Sequence, residues 1–197
     1  ITSKFKLEWT VSPKTKLSGH VFFIDTDNGF DAFSLDNSRN TLSDEPGKDT
    51  LNALAGAIKV TQDFSPFILN FQASFSNSDS IYSYDEDWTF VGIAPGWEYK
   101  SFDSYARERD TYSLQARLTS KRPLKLGSAM SDWSIGVYSR KNKEDLIREY
   151  TYASEDFSSE YDTDTSAIFG DVKIALTENF RAGVGLRLEN RDTFYED

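Results

Sequence analysis

The sequence contains no cysteine and only one histidine, His20, among its 197 residues. Without cysteine the chain has no disulfide framework and no thiolate metal site. One histidine does not make a transition-metal site of the His/Cys type, so we expect no metal and no cofactor. His20 also lies in an apolar run with no second catalytic element in view. A hydrolase built on His20 and a nearby Ser or Asp is the weakest alternative, and we expect a protein that is not an enzyme.

Long apolar runs are also missing from this chain. No run approaches the ~20 residues that a membrane-spanning helix needs, and the mean hydropathy is −0.55, which excludes a helical membrane protein. The formal net charge of −10 argues against nucleic acid as a partner. No stretch shows a 3.6-residue period, so we expect almost no helix.

The dominant pattern is a strict alternation of apolar and polar residues. It is clearest over residues 163–189, which reads as two strands joined by a short turn, with Val172, Ile174, Val184 and Leu186 on one face. Alternation of this length is typical of a sheet with one apolar and one polar face. Six further segments carry the pattern, over 1–12, 16–26, 50–61, 67–76, 109–120 and from 133 onward. We therefore predict an antiparallel meander of about eight strands, whose apolar face includes Phe5, Leu7, Trp9, Leu69, Phe71, Leu114, Ile174, Val184 and Leu186.

Short turns and long polar segments alternate between these strands. The long segments, 25–49, 77–107 and 141–163, together carry a net charge of −13, which leaves +3 for the remaining chain. Short turns at one end and long loops at the other are typical of outer-membrane barrels. A ten-residue strand at ~3.3 Å per residue, tilted by ~45°, also covers ~23 Å, close to the ~25 Å apolar band of such barrels.

Three segments resemble a known family. RDTYSLQARLTS (109–120), DWSIGVYS (132–139) and TDTSAIFGDVKIALTENFRAGVGLRLENR (163–191) together are similar to the barrel of TonB-dependent outer-membrane receptors. The resemblance implies a 22-stranded barrel plugged by an N-terminal domain. It also implies active uptake of a scarce nutrient, such as a ferric siderophore, with energy passed on by TonB.

About eight strands in 197 residues is too few for such a barrel, so we expect a central barrel fragment. Its single partial domain would span 1–197, without the plug domain and the terminal strands. The expected location is the bacterial outer membrane. Expected partners are outer-membrane lipid and lipopolysaccharide, an organic or metal-chelate ligand, and TonB through the plug.

The candidate ligand contacts come from an aromatic and acidic stretch in the predicted loop 77–107. Aromatic faces with a few polar groups suit organic ligands. An aromatic girdle with an ordinary surface loop would give the same composition. The six candidate residues are Tyr82, Tyr84, Asp85, Trp88, Trp97 and Tyr99.

Two other classes of protein remain compatible with the sequence. A small outer-membrane barrel acting as a porin, adhesin or structural protein would need only eight strands. A soluble β-sheet binding module would show the same alternation, with its apolar face buried against a second layer.

Overall fold

The computed structural model describes residues 1–29, 33–126, 129–177 and 179–197. In these ranges the chain forms nine β-strands and no helix, and so no helix long and apolar enough to cross a membrane. The strands are β1 (Thr2–Ser12), β2 (Thr15–Asp27), β3 (Lys48–Phe64), β4 (Phe67–Asp85), β5 (Phe102–Ser120), β6 (Leu124–Leu126), β7 (Ala129–Tyr150), β8 (Phe157–Ala175) and β9 (Arg181–Glu196).

All nine strands belong to one antiparallel sheet. Each long strand pairs with the next long strand along the chain, and β1 and β9 form the two edges of the open sheet. The predicted meander of about eight long strands is therefore confirmed. The three-residue β6 pairs with the beginning of β7 and lies in the predicted turn between the fifth and sixth strands.

The sheet is a single layer without an apolar core. Ala167 is the only buried apolar residue in the described part of the chain. Large apolar side chains remain open, with Phe5 63%, Leu114 52% and Leu186 77% exposed. A soluble sandwich would cover this surface with a second layer. An exposed apolar face of this extent is typical of a surface that meets lipid or another protein.

The strand register explains how the two faces arise. Residues directly opposite each other in a sheet share a face. One row runs Leu7, Gly19, Ile58, Ala73 and Leu114 across the first five long strands. The neighbouring rows follow the same rule, and all nine residues predicted for the apolar face lie on it.

The strands are longer than the sequence predicted, and the loops are shorter. The connections cover 28–47, 86–101 and 151–156, so the prediction of a long loop over 141–163 is wrong. Tyr82, Tyr84 and Asp85 likewise belong to β4 and not to a loop. Beyond the apolar rows both faces of the strands are polar, so no alternation marks them in the sequence. Ladder hydrogen bonds and cross-strand ion pairs such as Arg109 Nε to Glu144 Oε2 (2.8 Å) hold them instead.

A row of carboxylates crosses the apolar face just beyond its apolar part. The apolar side chains of β5 end at Tyr112, and acidic residues follow at the next positions of the same face. The register then places five acidic residues side by side on neighbouring strands. This carboxylate row consists of Asp79, Glu108, Asp145, Glu160 and Glu196.

Gly47 closes the connection 28–47 against the end of β4. A Cβ at this position would overlap the backbone of Ser83 and Tyr84, which has no room to yield. We expect Gly47→Ala to destabilise the intact protein by about 1–3 kcal/mol, the usual cost of overpacking. Urea unfolding of the protein refolded in lipid vesicles would measure this change.

The control for this prediction is Gly19→Ala, in the middle of the apolar face. The nearest atom to a Cβ at Gly19 is the carbonyl oxygen of Ala57, at 3.9 Å, so no clash is expected there. Equal effects of the two substitutions would show that backbone freedom, and not the close approach at Ser83, accounts for the loss at Gly47.

Candidate ligand site at the loop end of the sheet

The six candidate ligand residues all lie at the end of the sheet that carries the longer connections. Tyr82 and Tyr84 project from the polar face of β4, opposite Tyr105 and Asp103 of β5. Trp88, Trp97 and Tyr99 belong to the connection 86–101, and each is 38–45% exposed. Asp85 is 1% exposed, so its carboxylate faces the interior of this end and not the solvent.

Asp103 is the centre of a buried hydrogen-bond network on the polar face. Arg148 donates from Nε to Oδ1 at 2.9 Å and from Nη2 to Oδ2 at 2.7 Å. The hydroxyl groups of Tyr105 and Tyr84 donate to Oδ2 at 3.0 and 3.3 Å. Four donated hydrogen bonds satisfy one ionised carboxylate, so Asp103 joins β4, β5 and β7 at this level.

The network also shifts the pKa values of Asp103 and Tyr84. Both residues lie beyond the apolar rows, at the loop end of the sheet. Burial alone would raise the pKa of Asp103, but hydrogen bonds from Arg148 and Tyr105 outweigh it and hold the pKa below its ordinary value of 3.8. Burial, together with the Asp103 charge, raises the pKa of Tyr84 to about 12. Tyr84 therefore remains a neutral hydroxyl group at physiological pH.

Arg148 also packs between two tyrosine rings. Its guanidinium carbon lies 5.2 Å from the ring centre of Tyr105 and 5.1 Å from that of Tyr150, within the range of cation–π contacts. The Arg107 guanidinium lies 5.6 Å from the Tyr105 ring. The polar face thus presents a wall of aromatic and cationic side chains at the loop end.

The connections meet one another through stacked aromatic rings. Trp88 stacks on Phe33 with ring centres 5.2 Å apart, which joins 86–101 to 28–47. Tyr99 stacks on Tyr152 at 5.7 Å, which joins 86–101 to 151–156. The three connections are therefore joined to one another. Phe33 and Tyr152 also contact Tyr84 and Tyr150 on the polar face, beside Asp103 and Arg148.

The connection 86–101 is folded in itself. Asp87 accepts hydrogen bonds from the backbone N–H groups of Thr89 (3.0 Å) and Ser101 (2.9 Å), which draws its two ends together. Gly92 N–H donates to the carbonyl of Trp97 at 2.7 Å and closes the tip. Trp88 has a φ of 60°, a left-handed conformation that is uncommon for a large side chain, so the turn at Trp88 is determined by its surroundings.

Four residues of this site were missed by the sequence analysis: Asp103, Tyr105, Arg148 and Tyr150. The sequence pattern predicted loops over 77–107 and 141–163, where side chains have no defined face. The spacing of Asp103, Tyr105 and Arg107 at every second position is the signal that would have placed them together on one strand face.

A recess of about 450 Å³ lies further down the polar face, between β5, β7, β8 and β9. Arg109 in this recess pairs with Glu144, whereas Arg191 hydrogen-bonds the Tyr161 hydroxyl at 3.2 Å. Its polar character contrasts with a recess of about 700 Å³ on the apolar face. The lining of the polar recess is Arg109, Tyr138, Arg140, Asn142, Glu144, Tyr161, Thr163, Thr165, Glu189 and Arg191.

Catalytic and metal-ligating groupings are scarce. In the described ranges, no three His, Cys, Asp or Glu side chains come together as metal ligands. His20 lies opposite Lys6 and Ala57 in the sheet, neither of which carries a hydroxyl or carboxyl group. The exposed aromatic rings and few polar groups at the loop end are suited to binding an organic ligand.

Comparison with known proteins yields structural matches only. No protein-family model matches the chain, and no curated protein matches it in sequence. Among solved structures 13 chains match. One is the ferric citrate transporter FecA in its unliganded form, with a TM-score of 0.75, 13% identity, and coverage of 98% of this chain and 29% of that one. Another is the ferric yersiniabactin uptake receptor FyuA from Yersinia pestis, with 16% identity and coverage of 98% of this chain and 37% of that one. Its TM-score of 0.38 is too low to show a shared fold.

The match to FecA shows the fold. The chain has the fold of part of that transporter, so the resemblance seen in the sequence is confirmed at the level of the fold. The chain spans less than a third of the length of that transporter.

Proposed function

We propose that residues 1–197 form part of the barrel of an outer-membrane receptor that takes up a scarce nutrient, such as a ferric siderophore. The observation that carries this proposal is the single-layer sheet, with one apolar face and one polar face maintained across eight long strands. In a bacterial outer membrane the apolar face would contact lipid and lipopolysaccharide, and the polar face would line the passage.

The open sheet supports a larger barrel over a small one. β1 and β9 are both edge strands, so further strands are needed to close a barrel between them. Exposed edges do not occur in the hydrocarbon region because their backbone groups would have no partners. We infer that the remaining strands, the plug domain and the segment that contacts TonB belong to other parts of the same protein.

The ligand would bind where the three connections meet the Asp103 network. Trp88, Trp97 and Tyr99 offer partly exposed rings. Beside them, the guanidinium groups of Arg107 and Arg148 are paired with Glu144 and Asp103. Exposed aromatic faces with a few polar groups favour an organic ligand or a metal chelate. The protein would act by binding and transport, with no chemical change to the ligand.

The ligand proposal predicts a loss of affinity for Trp88→Ala. Removing one aromatic ring from a ligand contact typically costs above ~1 kcal/mol, roughly fivefold in affinity. Binding of a panel of labelled ferric chelates, ferric citrate among them, would be measured on cells that produce the intact receptor. We expect at least one chelate to bind the wild type, and Trp88→Ala to weaken that binding about fivefold or more.

The wild type and Trp88→Ala must be present at equal amounts on the cell surface for this comparison. Trp9→Ala serves as the matched control. Trp9 is exposed on the apolar face of β1, far from the connections, so its loss should leave chelate affinity unchanged. Absence of binding by the wild type to any chelate would refute the uptake function. Unchanged affinity of Trp88→Ala would place the ligand contacts elsewhere.

A further inference from the structure

Three buried oxygen atoms lack a hydrogen-bond partner where the connections 28–47 and 86–101 meet. They are Ser43 Oγ, Asp85 Oδ2 and Thr89 Oγ1, and none has appreciable exposed surface. The residues Asp85 and Thr89 are themselves only 1% and 0% exposed. A buried polar atom without a partner typically costs about 1–3 kcal/mol, so a ligand that satisfied these atoms would stabilise the junction.

The three atoms belong to one compact junction. Asp85 Oδ1 accepts a hydrogen bond from the Asp87 N–H at 3.2 Å, and Asp87 Oδ1 accepts one from the Thr89 N–H at 3.0 Å. The Thr89 carbonyl in turn accepts from the Asp44 N–H at 3.0 Å, which brings the neighbouring Ser43 to the same place. Ser43 lies beside the Asp85 carboxyl, close enough for its hydroxyl group to interact with that carboxyl.

The charge of this junction is negative, and its available ligands are oxygen atoms. Asp85 and Asp87 supply two carboxylates, whereas a cationic side chain nearby, Lys100, is paired with Glu45 at 2.9 Å. An ionised carboxylate only accepts hydrogen bonds, so Asp85 Oδ2 needs a donor or a cation. Calcium prefers carboxylate, hydroxyl, carbonyl and water oxygens, six to eight in number, and does not need nitrogen or sulfur.

We propose that the junction binds a calcium ion through the carboxylates of Asp85 and Asp87 and the hydroxyl oxygens of Thr89 and Ser43. Backbone carbonyls and water would complete the shell, because no third carboxylate joins these two in the described ranges. With only two acidic ligands, the expected dissociation constant lies on the order of 10⁻⁴–10⁻³ M, as in extracellular calcium modules.

The ion would tie two connections together at the candidate ligand surface. Trp88 lies between Asp87 and Thr89 in the chain and stacks on Phe33 of the other connection. Calcium binding would therefore fix the position of this ring pair. The inference rests on the junction alone and stands whether or not the protein takes up a ferric chelate.

Terbium luminescence on the intact protein in detergent tests this site directly. Terbium occupies calcium sites and emits when a nearby tryptophan is excited, and Trp88 adjoins two of the proposed ligands. After removal of divalent ions with EDTA, we expect a saturable terbium signal that millimolar calcium displaces and equimolar magnesium does not. A signal that does not saturate, or that calcium does not displace, would overturn the proposal.

Two variants locate the ion, and a third serves as the control. Asp85→Asn keeps the shape but removes the charge, and should weaken calcium competition at least tenfold; Thr89→Val should weaken it severalfold. Asp36→Asn alters an exposed carboxylate of the connection 28–47 and should have no effect. Heat-modifiable migration on gels would show that each variant is folded.

Thermal unfolding with and without calcium separates a bound ion from a protonated Asp85 or a buried water. A ligand that binds only the folded state raises the unfolding temperature with its concentration. We expect 5 mM calcium, a concentration on the order of ten times the dissociation constant, to raise this temperature in the wild type but not in Asp85→Asn. Identical temperatures with and without calcium in the wild type would mean that a proton or water satisfies Asp85, and would refute the site.

Discussion

Leu114→Arg is expected to destabilise the intact protein in a bilayer by about 2–4 kcal/mol, the cost of a positive charge near the midplane on a lipid-facing strand. Leu114 is 52% exposed on the apolar face of β5. It lies near the middle of the apolar part of that strand. No acidic residue lies opposite it, because its partners are Ala73 and Ser139. The introduced guanidinium group would therefore face hydrocarbon without a counter-charge.

The neighbouring residue provides the control for this prediction. Gln115 lies on the polar face between Gln72 and Tyr138, where an arginine side chain can remain hydrated. We expect Gln115→Arg to change the free energy of unfolding by less than ~0.5 kcal/mol, as most surface substitutions do. Urea titrations of both variants, refolded in lipid vesicles and followed by tryptophan fluorescence, would measure the two values. Equal losses would contradict the assignment of the faces.

Replacement of Asp103 by alanine is expected to destabilise the intact protein by about 2–3 kcal/mol. It removes the acceptor of four hydrogen bonds and leaves Arg148 without its counter-charge. Breaking a fully buried pair typically costs ~3–5 kcal/mol, but the partly exposed Arg148 can recover some hydration, which lowers the expected value. The comparison variant is Glu189→Ala, which breaks an exposed ion pair with Arg187 and should cost below ~1 kcal/mol.

The loss of stability caused by Asp103→Ala should also depend on pH. Because the pKa of Asp103 is lower in the folded protein than in the unfolded chain, its stabilisation is complete above the ordinary value of 3.8. It disappears as the pH falls through the lower, folded value. The difference in unfolding free energy between wild type and Asp103→Ala should therefore be constant near pH 7 and shrink below about pH 4. A difference that persists unchanged at pH 2 would mean that packing, and not charge, accounts for it.

The sequence predicted the part of the sheet in which apolar and polar residues alternate. Along β5 the contrast between Leu114 and Gln115 defines both faces, and the same contrast on β9 places Leu186 correctly. Between Tyr112 and the loop end of the sheet, apolar and polar residues no longer alternate, because both faces of the strands are hydrophilic. Residues 141–150 form a strand through their pairing with β5 and β8, and that pairing leaves no period in the local sequence.

The clustering of the candidate residues at one end of the sheet was predicted, but the central contact beside them was not. The aromatic residues between Tyr82 and Tyr99 do gather at one end of the sheet, as their clustering in the sequence indicated. The contact between Asp103 and Arg148 joins residues 45 positions apart, and only the register of β5 with β7 brings them together. Local patterns in a sequence do not carry this information.

The carboxylate row gives the molecule an unusual response to ionic strength. Like charges on neighbouring strands, about 5 Å apart, repel by somewhat less than ~1 kcal/mol per pair in water, and Lys143 compensates only Asp145 and Glu160. Added salt screens this repulsion and should strengthen the sheet along the row. On the opposite face the same salt weakens attraction between exposed pairs such as Arg109 and Glu144. Repulsion along the row and attraction within the ion pairs of both faces thus respond to screening with opposite signs. A flat salt profile would reflect the cancellation of these two effects and not an absence of electrostatic forces.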